Sequence, residues 1–137
     1  MRAEIVMIGT ELLLGRILDT NAAYLARELA DLGFDVLRKA TVGDNEERIA
    51  AAIRGAMERA DVVITSGGLG PTVDDKSREG TARATGRKLV MDPDLLKDIR
   101  EFFRRRGLEL GENNPRQAYI PEGAISVRNP VGTAPSY

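Results

Sequence analysis

The 137-residue chain contains no cysteine, no histidine and no tryptophan. Without cysteine it can form no disulfide and carries no thiol nucleophile. Without histidine it has no imidazole base, and zinc sites built from those two ligands are excluded. It also lacks any run of eighteen apolar residues, and its start lacks the charge, apolar stretch and small-residue site of a signal peptide. These absences lead to the expectation of a cytoplasmic protein with no membrane partner. A net charge of -1 provides no basic field for nucleic acid. Internal repeats and low-complexity tracts are absent as well. What remains for chemistry is carboxylates, hydroxyls, Lys, Arg, backbone amides and hard cations such as Mg²⁺.

What is present is an ordinary globular composition, 30% charged and 42% hydrophobic, sized for one domain over residues 1–137. The stretch Thr65 to Ser77 organises it. Asp61 to Thr65 is short, apolar and β-branched, the pattern of a strand buried on both faces. Gly67, Gly68 and Gly70 follow, able to take positive φ or to let backbone approach a ligand closely. Thr72-Val73-Asp74-Asp75 then matches a capping box, which predicts a helix from Asp74 to Thr85 whose N-terminus favours an anion. Strand, glycine turn and helix start together point to a phosphate site. The plainer alternative is an unliganded α/β turn with Asp75 as a capping carboxylate. A Walker A ending is missing, and so is the third glycine of a dinucleotide fingerprint. Because Asp74 and Asp75 would repel a bare phosphate, a cation bridging carboxylate and phosphate is the sharper form of the hypothesis.

Taken in order, residues 3–8 read as a first strand, and Leu12 to Thr20 as an unusually apolar loop. A helix capped by Asp19-Thr20-Asn21 runs to Gly33, followed by a strand from Phe34 to Val42 and a helix from Glu46. This βαβαβ alternation predicts a parallel sheet with right-handed crossovers and ligands at the strands' carboxyl ends. Thr10-Glu11, Asp44 and Gly67 to Asp75 all follow strands, so they are expected to converge on one edge. Arg87 to Met91 reads as a short strand, and Asp92-Pro93 opens a helix with an apolar stripe from Leu95 to Phe103. Arg104-Arg105-Arg106 at its end reads as a complement to the helix dipole, since no aromatic interleaving accompanies it. Glu109 to Pro115 reads as a polar loop and residues 125–127 as a strand.

The motifs Gly9 to Gly15 with Asp19-Thr20-Asn21, Thr65 to Asp75, Asn114 with Gln117-Ala118, Pro121 to Ala124, and Asn129 to Pro135 resemble the N-terminal domain of the competence/damage-inducible CinA family. That domain is similar to the molybdopterin-binding MoaB/MogA fold. The resemblance implies a three-layer α/β/α domain with a mostly parallel sheet, and a homo-oligomer. It further implies a small-molecule nucleotide or pterin phosphate as partner and a metal-dependent ADP-ribose pyrophosphatase activity. The pterin-binding relatives instead adenylylate molybdopterin. On this basis Asp75 and Asp44 are the expected catalytic and metal-holding carboxylates, with a divalent metal (Mg or similar) as cofactor. Thr10, Glu11, Gly67, Gly68, Gly70, Pro71, Thr72 and Ser77 are the expected ligand and phosphate contacts. Two departures stand out. Lys76-Ser77 occupies the places where the relatives carry a hydrophobic residue and threonine. The family pattern also continues beyond the tail motif into a further strand and a Leu-Pro-Gly-x-Pro turn, so this chain is expected to be a fragment of a longer protein. CinA proteins often carry a nicotinamide-nucleotide amidohydrolase domain too, which makes a non-catalytic binding or oligomerisation module the alternative reading.

Overall fold

A computed structural model describes all residues, 1–137. Three strands, β1 (Arg2–Ile8), β2 (Asp35–Val42) and β3 (Val62–Ser66), form a parallel sheet in the order β2-β1-β3. The central strand is paired on both sides, Ile5 opposite Lys39 and Ile64, and its residues 3–8 are all buried. Alternate side chains leave opposite faces of a strand. Ala3, Ile5 and Met7 therefore pack on Ala22 and Leu29 of helix α2 (Thr20–Asp31) on one face. Val6 and Ile8 pack on Ile49, Ile53 and Ala56 of α3 (Glu46–Met57) on the other. These are the three expected layers, and each fully buried Ile, Leu, Val or Met side chain contributes roughly 1.5–3 kcal/mol. Asp19 caps α2 by accepting from the Ala22 amide at 2.9 Å, and Asn45 caps α3 through the Arg48 amide at 3.0 Å.

The second half is smaller. Helix α4 (Ser77–Thr85) lies against α3, where Gly80 leaves room for Ile49: a Cβ at Gly80 would collide with that side chain. Strand β4 (Leu89–Met91) pairs antiparallel with β5 (Tyr119–Pro121), and α5 (Pro93–Arg105) contributes Leu95 and Ile99 to a separate core with Ala118 and Ile120.

Several sequence expectations are corrected. The helix predicted from Asp74 begins at Ser77, and Thr72 to Asp75 forms a turn outside it. The apolar loop opens with one helical turn, α1 (Thr10–Leu13). A 3-10 helix, Asn114–Ala118, ends the polar loop, and residues 125–127 contribute an isolated bridge, Val127 to Ser136, rather than a strand. Strand β5 has no counterpart in the sequence reading because three residues are too few to show a period.

Candidate functional site

The loops after the three parallel strands do meet at one edge. Thr10 and Asp44 clasp each other: the Thr10 amide donates to Asp44 Oδ2 at 2.8 Å, and the Asp44 amide donates to Thr10 Oγ1 at 3.1 Å. Beside them lies a cavity of about 240 Å³ whose walls include Glu11, Leu18, Asn21, Ser66 and Gly67. Glu11 and Gly67 thus share one concave surface at the carboxyl ends of β1 and β3, where ligands of open α/β sheets sit.

The glycine loop itself is built in an unexpected way. Gly67 and Gly68 have φ of 101° and 62°, the left-handed region that favours glycine. The crowding that requires them is internal. A Cβ on Gly67 would collide with the Ile8 carbonyl oxygen, and one on Gly68 would lie 2.5 Å from Ser77 Oγ. Gly70 keeps ordinary φ, but a Cβ there would lie 2.5 Å from the Asp75 carboxylate. Pro71 carries the chain from there into the Thr72 turn with no amide N–H to offer.

The loop's carbonyl oxygens are tied down one after another. Gly67 O accepts from Ser77 Oγ, and Gly68 O from the Ser77 amide at 3.2 Å. Arg78 donates through Nη1 to Leu69 O and through Nη2 to Gly70 O, both at 2.7 Å. Gln117 adds a bond to Leu69 O at 3.3 Å, and Arg116 one to Thr72 O at 2.8 Å. The amides of Gly67, Gly68 and Leu69, by contrast, donate to no protein acceptor. Successive unpartnered amides on a loop of this kind make an anion-binding concavity.

Asp75 closes the loop. Its Oδ2 accepts from the Thr72 amide at 2.8 Å and the Thr72 hydroxyl at 2.6 Å. Partial burial by itself would raise the Asp75 pKa. The bonds from Thr72 and the Gly70 amide, with Arg78 nearby, more than offset it, and the carboxyl is held below its ordinary value. It is therefore ionised at neutral pH.

Some expected contacts are redirected. Ser77 is buried and its hydroxyl is spent on Gly67 O, so it faces the protein rather than a ligand. The amide of Ser77, at the observed start of α4, is likewise taken by Gly68 O. Asp44 and Asp75 are not joined by any hydrogen bond, and no group of three or more His, Cys, Asp or Glu side chains is placed to hold a metal ion. A divalent cation at Asp75, whose Oδ2 is already engaged by Thr72, would need its remaining ligands from phosphate oxygens and water. The clamp residues Arg78 and Arg116 were not singled out from sequence, and Gln117 was read only as part of a family motif. The available signal was Arg78 in the first turn of a helix, where a cation opposes the dipole and needs carbonyl partners.

The largest cavity, about 840 Å³, lies elsewhere, between α5 and residues 128–135, and shares no lining residue with the glycine loop. Within it the tail motif is self-contained: Asn129 accepts from the Val131 and Gly132 amides and donates to Ala134 O. Size alone gives it no claim over the site whose polar groups converge.

With this geometry in place, comparisons with known proteins give a consistent picture. Residues 4–137 match the family model described as "Probable molybdopterin binding domain". A CinA-like protein of Dictyoglomus turgidum is 56% identical over 135 residues, covering 98% of this chain and 33% of that relative. The chain thus spans about one third of the length of the curated relatives it matches. The crystal structure of CinA from Thermoplasma acidophilum superimposes with a TM-score of 0.89 at 39% identity, covering 98% of this chain and 78% of that one. MoaB from Thermus thermophilus, at 24% identity and a TM-score of 0.57 over 73% of this chain and 62% of its own, shares the fold. No helix of the chain is long and apolar enough to cross a membrane. The chain belongs to the molybdopterin-binding-domain family, in its CinA-like branch.

Proposed function

We propose that the domain binds the phosphoryl groups of a nucleotide diphosphate or pterin phosphate at the glycine loop and acts as a metal-dependent ADP-ribose pyrophosphatase. The observation that carries the binding step is the loop's polarity: five carbonyl oxygens turned onto protein donors, three neighbouring amides left without acceptors. Phosphoryl oxygens supply the missing acceptors. Glu11 and Asn21, in the adjoining cavity, are placed to meet the remainder of the ligand.

In the hydrolytic step, water adds to one phosphorus of the pyrophosphate and the bridging P–O bond breaks, giving AMP and ribose 5-phosphate. A bound divalent cation would supply charge neutralisation and water activation. The chain's own contribution is to orient the phosphates through the Gly67 to Leu69 amides and to hold an ionised carboxylate at Asp75. Amides fixed before the reaction need no rearrangement as charge develops on the phosphoryl oxygens.

The second reading, a binding or oligomerisation module without turnover, is favoured by the engagement of Asp75 Oδ2 with Thr72 and of Asp44 with Thr10. Incubation with ADP-ribose and Mg²⁺, followed by measurement of AMP release, separates the two. Release that stops when the cation is chelated supports the hydrolase. Saturable ADP-ribose binding with no AMP formed supports the module.

A further inference from the structure

Ser77 is 1% exposed, and both of its hydrogen-bond donors are committed to the glycine loop. Its hydroxyl donates to Gly67 O, and its amide to Gly68 O at 3.2 Å. A peptide unit is planar and trans, so its C=O and N–H point in opposite directions, and holding a carbonyl fixes the N–H of the following residue. The Gly67 carbonyl shares its plane with the Gly68 amide, and the Gly68 carbonyl with the Leu69 amide. One buried residue therefore holds the planes of two of the three amides that lack acceptors. The third, on Gly67, shares its plane with the carbonyl of Ser66, which pairs with Met7 at the end of β3. The next two carbonyls, of Leu69 and Gly70, are held by Arg78 instead. Their planes offer a ligand nothing: one contains the Gly70 amide, which bonds Asp75, and the other the Pro71 nitrogen, which has no hydrogen. The free amides end where the grip of Ser77 ends.

We infer that Ser77 is a positioning residue for the phosphoryl cradle: it ties the Gly67 and Gly68 carbonyls to the start of α4 and so holds the Gly68 and Leu69 amides facing away from that helix, where phosphoryl oxygens can meet them. The plane between Gly67 and Gly68 has no Cβ on either side to restrict it, so it reorients readily unless something ties it. The hydroxyl of Ser77 is that tie. Its anchor is rigid because α4 lies close on α3, with Gly80 against Ile49. Amides set before the ligand arrives avoid the cost of ordering them on binding. This role rests on the phosphoryl-binding reading of the loop, but the orientation of the two amides is a property of the free protein. The two donors also act separately: Ser77→Ala frees the plane of the Gly68 amide and leaves that of Leu69 held.

The test uses the whole chain, labelled with ¹⁵N and weakly aligned for residual dipolar couplings, with inorganic pyrophosphate as probe. In the free protein the N–H couplings of Gly68 and Leu69 should fit the same alignment as the amides of α4. A misfit at Gly68 overturns the proposal without any variant. In Ser77→Ala the Gly68 coupling should depart from that fit while the Leu69 coupling keeps it, and pyrophosphate affinity should fall about tenfold. An unchanged Gly68 coupling in a folded Ser77→Ala protein overturns the proposal whatever the affinity. Ser77→Thr keeps the hydroxyl and should bind within about threefold of wild type. A folded Thr variant as weak as the Ala variant assigns the loss to packing and also overturns the role. If the wild-type chain binds no pyrophosphate while the Gly68 amide still turns in Ser77→Ala, the phosphoryl reading fails and the hold of Ser77 on the loop stands. If pyrophosphate binds wild type and Ser77→Ala equally well, the phosphoryl reading stands and the positioning role fails.

Discussion

Asp75 Oδ2 takes both the amide and the hydroxyl of Thr72, at 2.8 and 2.6 Å, and so closes the turn that carries the glycine loop back to α4. The pattern read in the sequence as a capping box is half present: the carboxylate bonds back to the Thr72 amide, but the helix it should open starts at Ser77. Asp75→Asn keeps an acceptor for the Thr72 amide and loses the charge. The expected outcome is a folded protein whose ADP-ribose affinity no longer depends on Mg²⁺. Asp75→Ala removes the acceptor as well, and unfolding in urea should register a loss of about 1 kcal/mol. Calorimetry that finds Mg²⁺-dependent binding intact in the Asn variant refutes the metal role and leaves Asp75 as a turn residue.

Glu4 and Arg59 form a bidentate pair, both bonds 2.8 Å, with Glu4 buried on the α3 face of the central strand. The Arg59 bonds hold the Glu4 carboxyl below its ordinary value of 4.5, against the effect of burial. A depressed carboxylate pKa contributes stability above the unfolded value and loses it as pH falls through the folded value. Arg59→Met leaves the buried carboxylate unpaired, so its deficit in urea midpoint relative to wild type should be largest near neutral pH and shrink below about pH 4.5. A deficit that does not vary with pH would place its cause in packing instead.

Gly67 and Gly68 are required by their own surroundings, the Ile8 carbonyl and the Ser77 hydroxyl. Gly68→Val should therefore lower the melting temperature as well as abolish pyrophosphate binding. Scanning calorimetry that finds an unchanged melting temperature would contradict the described loop conformation. Gly68→Val is thus a test of the loop conformation, and the ligand question belongs to Asp75.

Leu13, Leu14, Ile17 and Leu18 are 50–83% exposed, on the segment that follows β1. Four exposed apolar side chains within six positions favour burial against a partner. We expect the chain to self-associate as a dimer or trimer through it. Light scattering should give a mass above 14.9 kDa that falls to that value in Ile17→Glu. A monomer in the wild type at high micromolar concentration removes the proposal.

The layer order was legible because α2 and α3 carry a helical period and β1 and β3 are short apolar runs, with Gly, Asn or Asp between the elements. Ala3, Ile5 and Met7 against Val6 and Ile8 is the alternation that two helical layers demand. The glycine loop was legible as a site, since few local needs other than close approach or positive φ put three glycines in four residues. Its orientation was not. Which way a carbonyl points depends on donors eight to forty-eight residues away, Arg78, Arg116 and Gln117, and no local pattern encodes that. The start of α4 was misread for a related reason: Asp75 satisfies the capping pattern from within a turn, and local bonds of Asp and Thr serve turns and helix starts alike.

The most direct test of the account is a titration of the ¹⁵N-labelled chain with ADP-ribose and Mg²⁺, followed by amide chemical shift. The account predicts the largest shifts at Gly67, Gly68 and Leu69, with smaller ones at Glu11 and Asn21. Shifts confined to Phe102, Arg105, Arg128 and Thr133, around the larger cavity on α5, or no shifts at all, would contradict it.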